Sequence, residues 1–187
     1  VSEKVFSTIT DVINPQGIMA IVEKPKISDN KVNYDDKIFL ILDNIQDPGN
    51  IGTIIRTADS LNLKQVIISK GSADIYNLKV VRATMGAIFR VKIIESSNIV
   101  KTVKEMKKHK IKIYVTDLST DKSIYSVNYN KSAIIIGNEA NGVSKDVLQE
   151  ANERIKIPML GKTESLNAAV ATGIILYEAN KALGNIK

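Results

Sequence analysis

Short apolar runs alternate with stretches of helical character along most of this chain, and that pattern limits its fold more than any other feature. Residues 38–42 read Ile-Phe-Leu-Ile-Leu and stop at Asp43-Asn44. A continuous run of bulky and β-branched residues this short reads as a strand covered on both faces. Comparable strands are predicted at 65–69, 91–94, 112–115, 133–136 and 155–157. Between them, the turn Asp47-Pro48-Gly49-Asn50 precedes Ile51, Ile54, Ile55, Ala58 and Leu61 at helical spacing. Residues 77–87 place Val80, Val81, Thr84 and Ala87 on one side, and 98–109 form a helix capped by Ser96, Ser97 or Asn98. Further helices are predicted at 145–151, capped by Ser144, and at 165–182. Strands alternating with helices need crossover connections. The expected fold is α/β, a mostly parallel sheet with helices on both faces. Ligands of such sheets gather at the carboxyl ends of the strands.

Composition removes several chemistries. Cys is absent and His109 is the one histidine, so thiol catalysis, Cys-ligated zinc and His-rich metal sites are excluded. Asp43 and Asp47 read as turn and cap residues rather than ligands, and no metal is expected. Apolar runs stay far below the ~20 residues of a membrane span. With no charged-then-apolar leader, the expected location is the cytoplasm. The net charge of +6 is uneven: residues 61–130 hold 13 basic and 5 acidic side chains, against 6 and 9 in residues 1–60. A localised basic surface attracts polyanions. The helix at 98–109 contributes Lys101, Lys104, Lys107 and Lys108, which also suit a plain solvated face.

The chain opens at Val1, and residues 1–36 mix short apolar pieces with turn formers such as Asn14-Pro15, Gly17, Pro25 and Ser28-Asp29-Asn30-Lys31. They read as a loop or linker ahead of a catalytic domain at 37–187. Glycine-bearing loops with polar side chains follow three predicted strands, at 44–58, 137–142 and 158–169. None contains a Walker loop, and Gly49 and Gly52 do not complete a dinucleotide fingerprint.

Together these loops resemble the SpoU (TrmH) family of RNA 2′-O-ribose methyltransferases, of the SPOUT class. Asn50-x-Gly52-x-Ile54-x-Arg56-Thr57-Ala58 is similar to the first motif, Ile135-Ile136-Gly137-Asn138-Glu139-Ala140-Asn141-Gly142 to the second. Ile157-Pro158-Met159 with Ser165-Leu166-Asn167-Ala168-Ala169-Val170-Ala171 resembles the third. The likeness spans about residues 37–180. Asn14-Pro15-Gln16-Gly17-Ile18 also resembles the junction that in many relatives follows a small RNA-binding domain, expected here to be missing.

The resemblance implies a deep C-terminal trefoil knot, S-adenosylmethionine as cofactor, an RNA substrate and a homodimer that completes each site. The cofactor-binding residues it implies are Thr116, Gly137, Asn138, Gly142, Ile157, Met159, Ser165, Leu166, Asn167 and Ala168. The catalytic set is Arg56, Asn50, Glu139, Ser165 and Asn167, with Arg56 preparing the ribose hydroxyl or clamping a phosphate. Ribosomal RNA is the expected substrate. The alternatives are transfer RNA and a non-catalytic knotted RNA-binding module. Residue by residue, Asn50 and Ser165 also suit helix N-caps. Arg56, between Ile55 and Thr57-Ala58 near the sheet, reads as a charge that would be costly to bury without a role.

Overall fold

Chain order and sheet order differ in a way that brings four strand ends together. The computed structural model describes residues 1–10, 12, 14–24 and 31–186. In chain order the elements are α1 (Glu3–Ile9), β1 (Ile38–Asp43), α2 (Pro48–Ser60), β2 (Gln65–Ser69), α3 (Leu78–Ala83) and β3 (Lys92–Ser96). They continue with α4 (Ile99–Lys108), β4 (Lys112–Thr116), β5 (Ser132–Gly137), α5 (Lys145–Glu150), β6 (Glu153–Ile155) and α6 (Ala168–Ala182). The strands form one sheet in the order β3-β2-β1-β5-β4-β6, and every pairing is parallel. The chain builds outward from β1 through β2 and β3, then crosses to the other side. β1 and β5 are therefore neighbours at the point where the winding reverses. Asp43 pairs with Gly137, and Thr116 with Ile155, so the loops leaving these strands open on one edge.

Helices cover both faces, as the continuous apolar runs require. Along β1, Leu40 and Leu42 face one core with Ile51, Ile54 and Ile55 of α2, Val80 of α3, and Ile175 and Leu176 of α6. Phe39 and Ile41 face the other core, with Val103 and Met106 of α4 and Val147 of α5. Two close approaches fix the first layer. A Cβ on Gly52 would meet the Ala83 side chain and the Val80 carbonyl, and Gly173 lies against the Thr57 methyl. α2 thus lies between α3 and α6.

Several boundaries depart from the periodicity. The last strand ends at Ile155, so only one residue of the predicted 155–157 run belongs to it. Its polar residues Glu153 and Arg154 conceal it; they suit an edge strand and pair with Lys122 and Asp117. Residues 77–87 break after Ala83 into a turn and a short 3-10 segment, Ala87–Phe89. Asn98 caps α4, accepting from the Lys101 N–H at 2.9 Å. Ser144 precedes α5 without a side-chain cap bond; its own N–H donates to buried Asp43 instead. Residues 3–9, read as loop, form α1, which starts from Ser2 and buries no residue, so no apolar stripe announces it. Asn33 and Asp36 bind buried Gln65, and Tyr34 stacks on His109 at 4.0 Å. Pro25 and residues 28–30 of the predicted turn cluster lie outside the described residues.

Candidate functional site

The loop after β5 is a tight turn folded back on its own strand. Asn138 and Gly142 exchange backbone hydrogen bonds of 2.9 Å in both directions. The Asn138 side-chain oxygen accepts from the Ala140 and Asn141 N–H groups at 3.0 Å, while its amide donates to the Asn44 carbonyl at 2.8 Å. One side chain therefore closes this turn and ties it to the loop after β1. Gly142 has φ +68°, the left-handed region. A Cβ on Gly137 would collide with the Gly142 carbonyl carbon and the Val143 nitrogen. Glycine at 137 is a steric requirement of the turn.

A directional chain of side chains crosses the same edge. Asn167 caps α6, its oxygen accepting from the Ala169 and Val170 N–H groups at 2.9 and 3.2 Å. Its amide then donates to the Asn50 oxygen at 2.8 Å, and the Asn50 amide donates to Glu139 Oε1 at 2.8 Å. Glu139 also accepts from the Gln46 and Asp47 backbone N–H groups. A helix N-terminus can only donate and a carboxylate can only accept, so the two ends set both amide orientations between them. Burial pushes the Glu139 carboxyl up, but the Asn50 amide and the backbone N–H donors outweigh it and hold the group below the usual range. The capping expectation is corrected here. Asp47 caps α2, with Asn50 inside the first turn, and Asn167 rather than Ser165 caps α6.

Between these loops lies a cavity of about 650 Å³, within the range of small-molecule sites. Thr116, Gly137, Asn138, Gly142, Ile157, Met159, Ser165, Leu166, Asn167 and Ala168 all line it, as does Glu139. Asp117, Glu139 and Glu164 carry negative charge at its wall against one lysine, Lys156. The close backbone of the 137–143 turn, an apolar wall of Ile136, Ile155 and Ile175, and an acidic rim fit an adenosyl group joined to a sulfonium cation. Asn50 and Arg56 are not part of the wall.

The profile of the SpoU rRNA Methylase family matches residues 37–177. The chain belongs to this family. The resemblance read from the three motifs is thereby borne out. The chain is 37% identical over 177 residues to the 23S rRNA (guanosine(2553)-2′-O)-methyltransferase RlmP of Bacillus subtilis, covering 94% of this chain and 69% of that one. It is 32% identical over 175 residues to the 23S rRNA (guanosine-2′-O-)-methyltransferase RlmB of Neisseria meningitidis, covering 89% and 69%. Among solved structures, the AdoMet-bound rRNA methyltransferase from Sinorhizobium meliloti superposes with a TM-score of 0.80 at 33% identity, covering 97% of this chain and 70% of that one. Across the curated relatives compared, the chain spans 56% to 69% of their length.

In this SpoU-family chain the predicted site residues fall into two groups. The ten cofactor candidates and Glu139 share one cavity, and Asn50 joins them through Glu139 and Asn167. Arg56 stands apart. It is exposed on α2, so the costly-burial argument made for it is wrong. A helix turns 100° per residue, and sequence proximity to Ile55 does not bury its neighbour. No side-chain hydrogen bond or ion pair engages Arg56 among the described residues. Asp43, read only as a turn residue, supports the site. Buried at the end of β1, it accepts from the Ser144 N–H at 2.8 Å and pins the strand-end segment that follows the cavity turn. Its position directly after an apolar run was the available signal. The lysines of α4 lie over the opposite core, and three are paired: Lys104 and Lys107 with Glu150, Lys108 with Glu105. No helix is long and apolar enough to cross a membrane, and no metal-binding cluster occurs among the described residues.

Proposed function

We propose that this chain methylates a ribose 2′-hydroxyl of ribosomal RNA, taking the methyl group from S-adenosylmethionine held in the cavity above β4, β5 and β6. The observation that carries this reading is the Glu139–Asn50–Asn167 hydrogen-bond chain joining all three motif loops at the rim of that cavity. S-adenosylmethionine supplies the methyl on a sulfonium, a leaving group that needs no acid. The protein's task is then placement of the hydroxyl in line with the methyl. Gly137, Asn138, Gly142, Ile157, Leu166 and Ala168 would hold the adenosyl part, with Thr116 and Met159 closing the wall. Thr116 spends its hydroxyl on the Ile135 carbonyl, so it contributes shape more than polarity. Ser165 and Asn167 stand at the rim, where a ribose would enter. Arg56 brings a planar charged fork suited to the phosphate beside that ribose.

Arg56 reaches such a site in a homodimer. Asn50 meets Asn167, and Thr57 meets Gly173, so α2 and α6 run side by side in the same direction. Val170, Ile174 and Tyr177 form an exposed apolar stripe along α6, extended by Leu166 just ahead of its cap, beside α2, which carries Arg56. A second copy seated on this stripe would present its own Arg56 to the first copy's cavity. The knot implied by the resemblance belongs to the same reading, supported by the strapping of Lys156 against Lys122 and Ile124 by backbone hydrogen bonds. We place the protein in the cytoplasm, with residues 37–187 as the catalytic domain and residues 1–36 as a linker ahead of it.

The test is to incubate the protein with labelled S-adenosylmethionine and unmethylated ribosomal or transfer RNA, then map the modified nucleotide. A 2′-O-methyl in ribosomal RNA is expected. Label in transfer RNA alone would move the substrate, and cofactor binding with no transfer to either would leave a non-catalytic module.

A further inference from the structure

The turn that follows α3 exposes large apolar side chains where the fold has no use for them. Met85 has φ +49° and Gly86 φ +82°, two successive left-handed residues of which the first is not glycine. That conformation is strained for any side chain with a Cβ. It nonetheless turns the chain so that Phe89 is 78% exposed and Met85 68%. Leu78 and Arg82 lie one turn apart on α3, and the chain then leaves the helix, so Met85 and Phe89 stand on the turn that follows it, both exposed. Arg82 spends only its Nε, on the Leu78 carbonyl.

The location gives this surface its meaning. Arg90, the residue after Phe89, is fastened to Asp59 of α2 by two hydrogen bonds of 3.0 and 2.7 Å. Asp59 lies three residues after Arg56, one helical turn away on the same surface. Across this face the order is the 85–90 turn, then α2 with Arg56, then the α6 stripe. The Phe89 ring is thus separated from the proposed dimer surface by the arginine that handles the RNA. Arg56, Lys79, Arg82 and Arg90 against Asp47 and Asp59 leave the face net positive. An exposed aromatic ring on a net positive face that carries arginines is the composition that stacks unpaired bases while tracking a phosphate backbone.

We propose that the exposed ring of Phe89, next to Arg90 and on the turn that carries Met85, is a stacking platform for an unpaired base of the RNA, flanking the nucleotide whose ribose reaches Arg56. This rests on the RNA-methylating reading above. The platform binds substrate and takes no part in methyl transfer itself.

The experiment measures binding of an in vitro 23S rRNA transcript, alongside cofactor affinity by calorimetry and mass by sedimentation, for Phe89→Ala, Phe89→Leu and Phe89→Tyr. Phe89→Ala is expected to weaken RNA binding about 5- to 150-fold, the worth of one stacked base. Phe89→Leu should lose nearly as much, since it keeps apolar bulk without a ring face. Phe89→Tyr should bind within about threefold of the parent, and cofactor affinity and mass should be unchanged in all three. Parent-like binding by Phe89→Leu and Phe89→Ala, in a protein that methylates RNA, overturns the platform alone. A change of mass with Phe89→Ala overturns it in favour of self-association. A parent protein that binds cofactor but no RNA overturns both readings.

Discussion

The cavity rim and the outer face of α2 are built on opposite terms. At the rim, Asn138, Asn50, Asn167 and Glu139 each spend their polar atoms on named partners within the chain, and a glycine is fixed by backbone contact on both sides of the turn. On the outer face, the Arg56 side chain has no partner among the described residues, Phe89 stands in solvent, and Val170, Ile174 and Tyr177 are exposed at helical spacing. The difference teaches which half of the proposed site a single chain completes. The cofactor half is preorganised, with its hydrogen bonds already made. The RNA half is a set of unspent groups whose geometry a second copy and the substrate would settle.

The sharpest way to break this contrast is Arg56→Ala. Exposed and unpaired, Arg56 contributes little to folding, so the melting temperature should stay near that of the parent. Methyl transfer should fall by roughly 10²–10⁴-fold, the range for a positioned proton-transfer group. Cofactor affinity should change little, and Arg56→Lys should rescue poorly. Near-normal turnover by folded Arg56→Ala would end the assignment. Gly137→Ala attacks the other half. Overpacking against backbone costs ~1–3 kcal/mol, and the damage should appear in calorimetry as weaker cofactor binding. Co-expressing the two variants then tests whether the halves belong to different chains. A mixed dimer whose sites are shared has one intact combination and should regain about half of the parent's transfer, whereas sites confined to one chain regain none.

The smallest effect concerns Glu139. Its carboxyl titrates below the ordinary range in the folded protein, so the stabilisation it gives is complete above the unfolded value of ~4.3 and is lost as pH falls through the folded one. Melting temperature should decline on acidification in the parent, and less steeply in Glu139→Gln. Asp117 and Glu150, also lowered, contribute the decline that both proteins share. Equal slopes would show that the rim chain is not anchored by charge.

What the sequence made legible follows from the kind of force at work. The core strands β1, β2 and β5 announce themselves because burial on both faces demands unbroken apolar runs. Edge strand β6 does not, since Glu153 and Arg154 reach ion partners instead of a core. The motif loops were readable as glycine-bearing strand ends, and the shared cavity follows from the parallel register that pairs Asp43 with Gly137 and Thr116 with Ile155. The caps were misassigned because Asp47, Asn50, Ser165 and Asn167 are all capping types, and which of them accepts from the first-turn N–H groups depends on where each helix starts, a boundary that residue type leaves open. The exposure of Arg56 was hidden for the same reason: which helix face meets solvent depends on where α3 and α6 pack.

The rim chain also carries a timetable. Asn50 is held by a carboxylate 89 residues later and a carboxamide 117 residues later. At ~5–20 residues per second of synthesis, the first motif waits roughly 6 to 23 seconds for its final partner. A nascent chain holding β1 to β3 has most of one core and the Asp47 cap of α2, but neither partner of the Asn50 side chain. Partial products that stop before Asn167 therefore carry the first motif without the contacts that hold Asn50 in place.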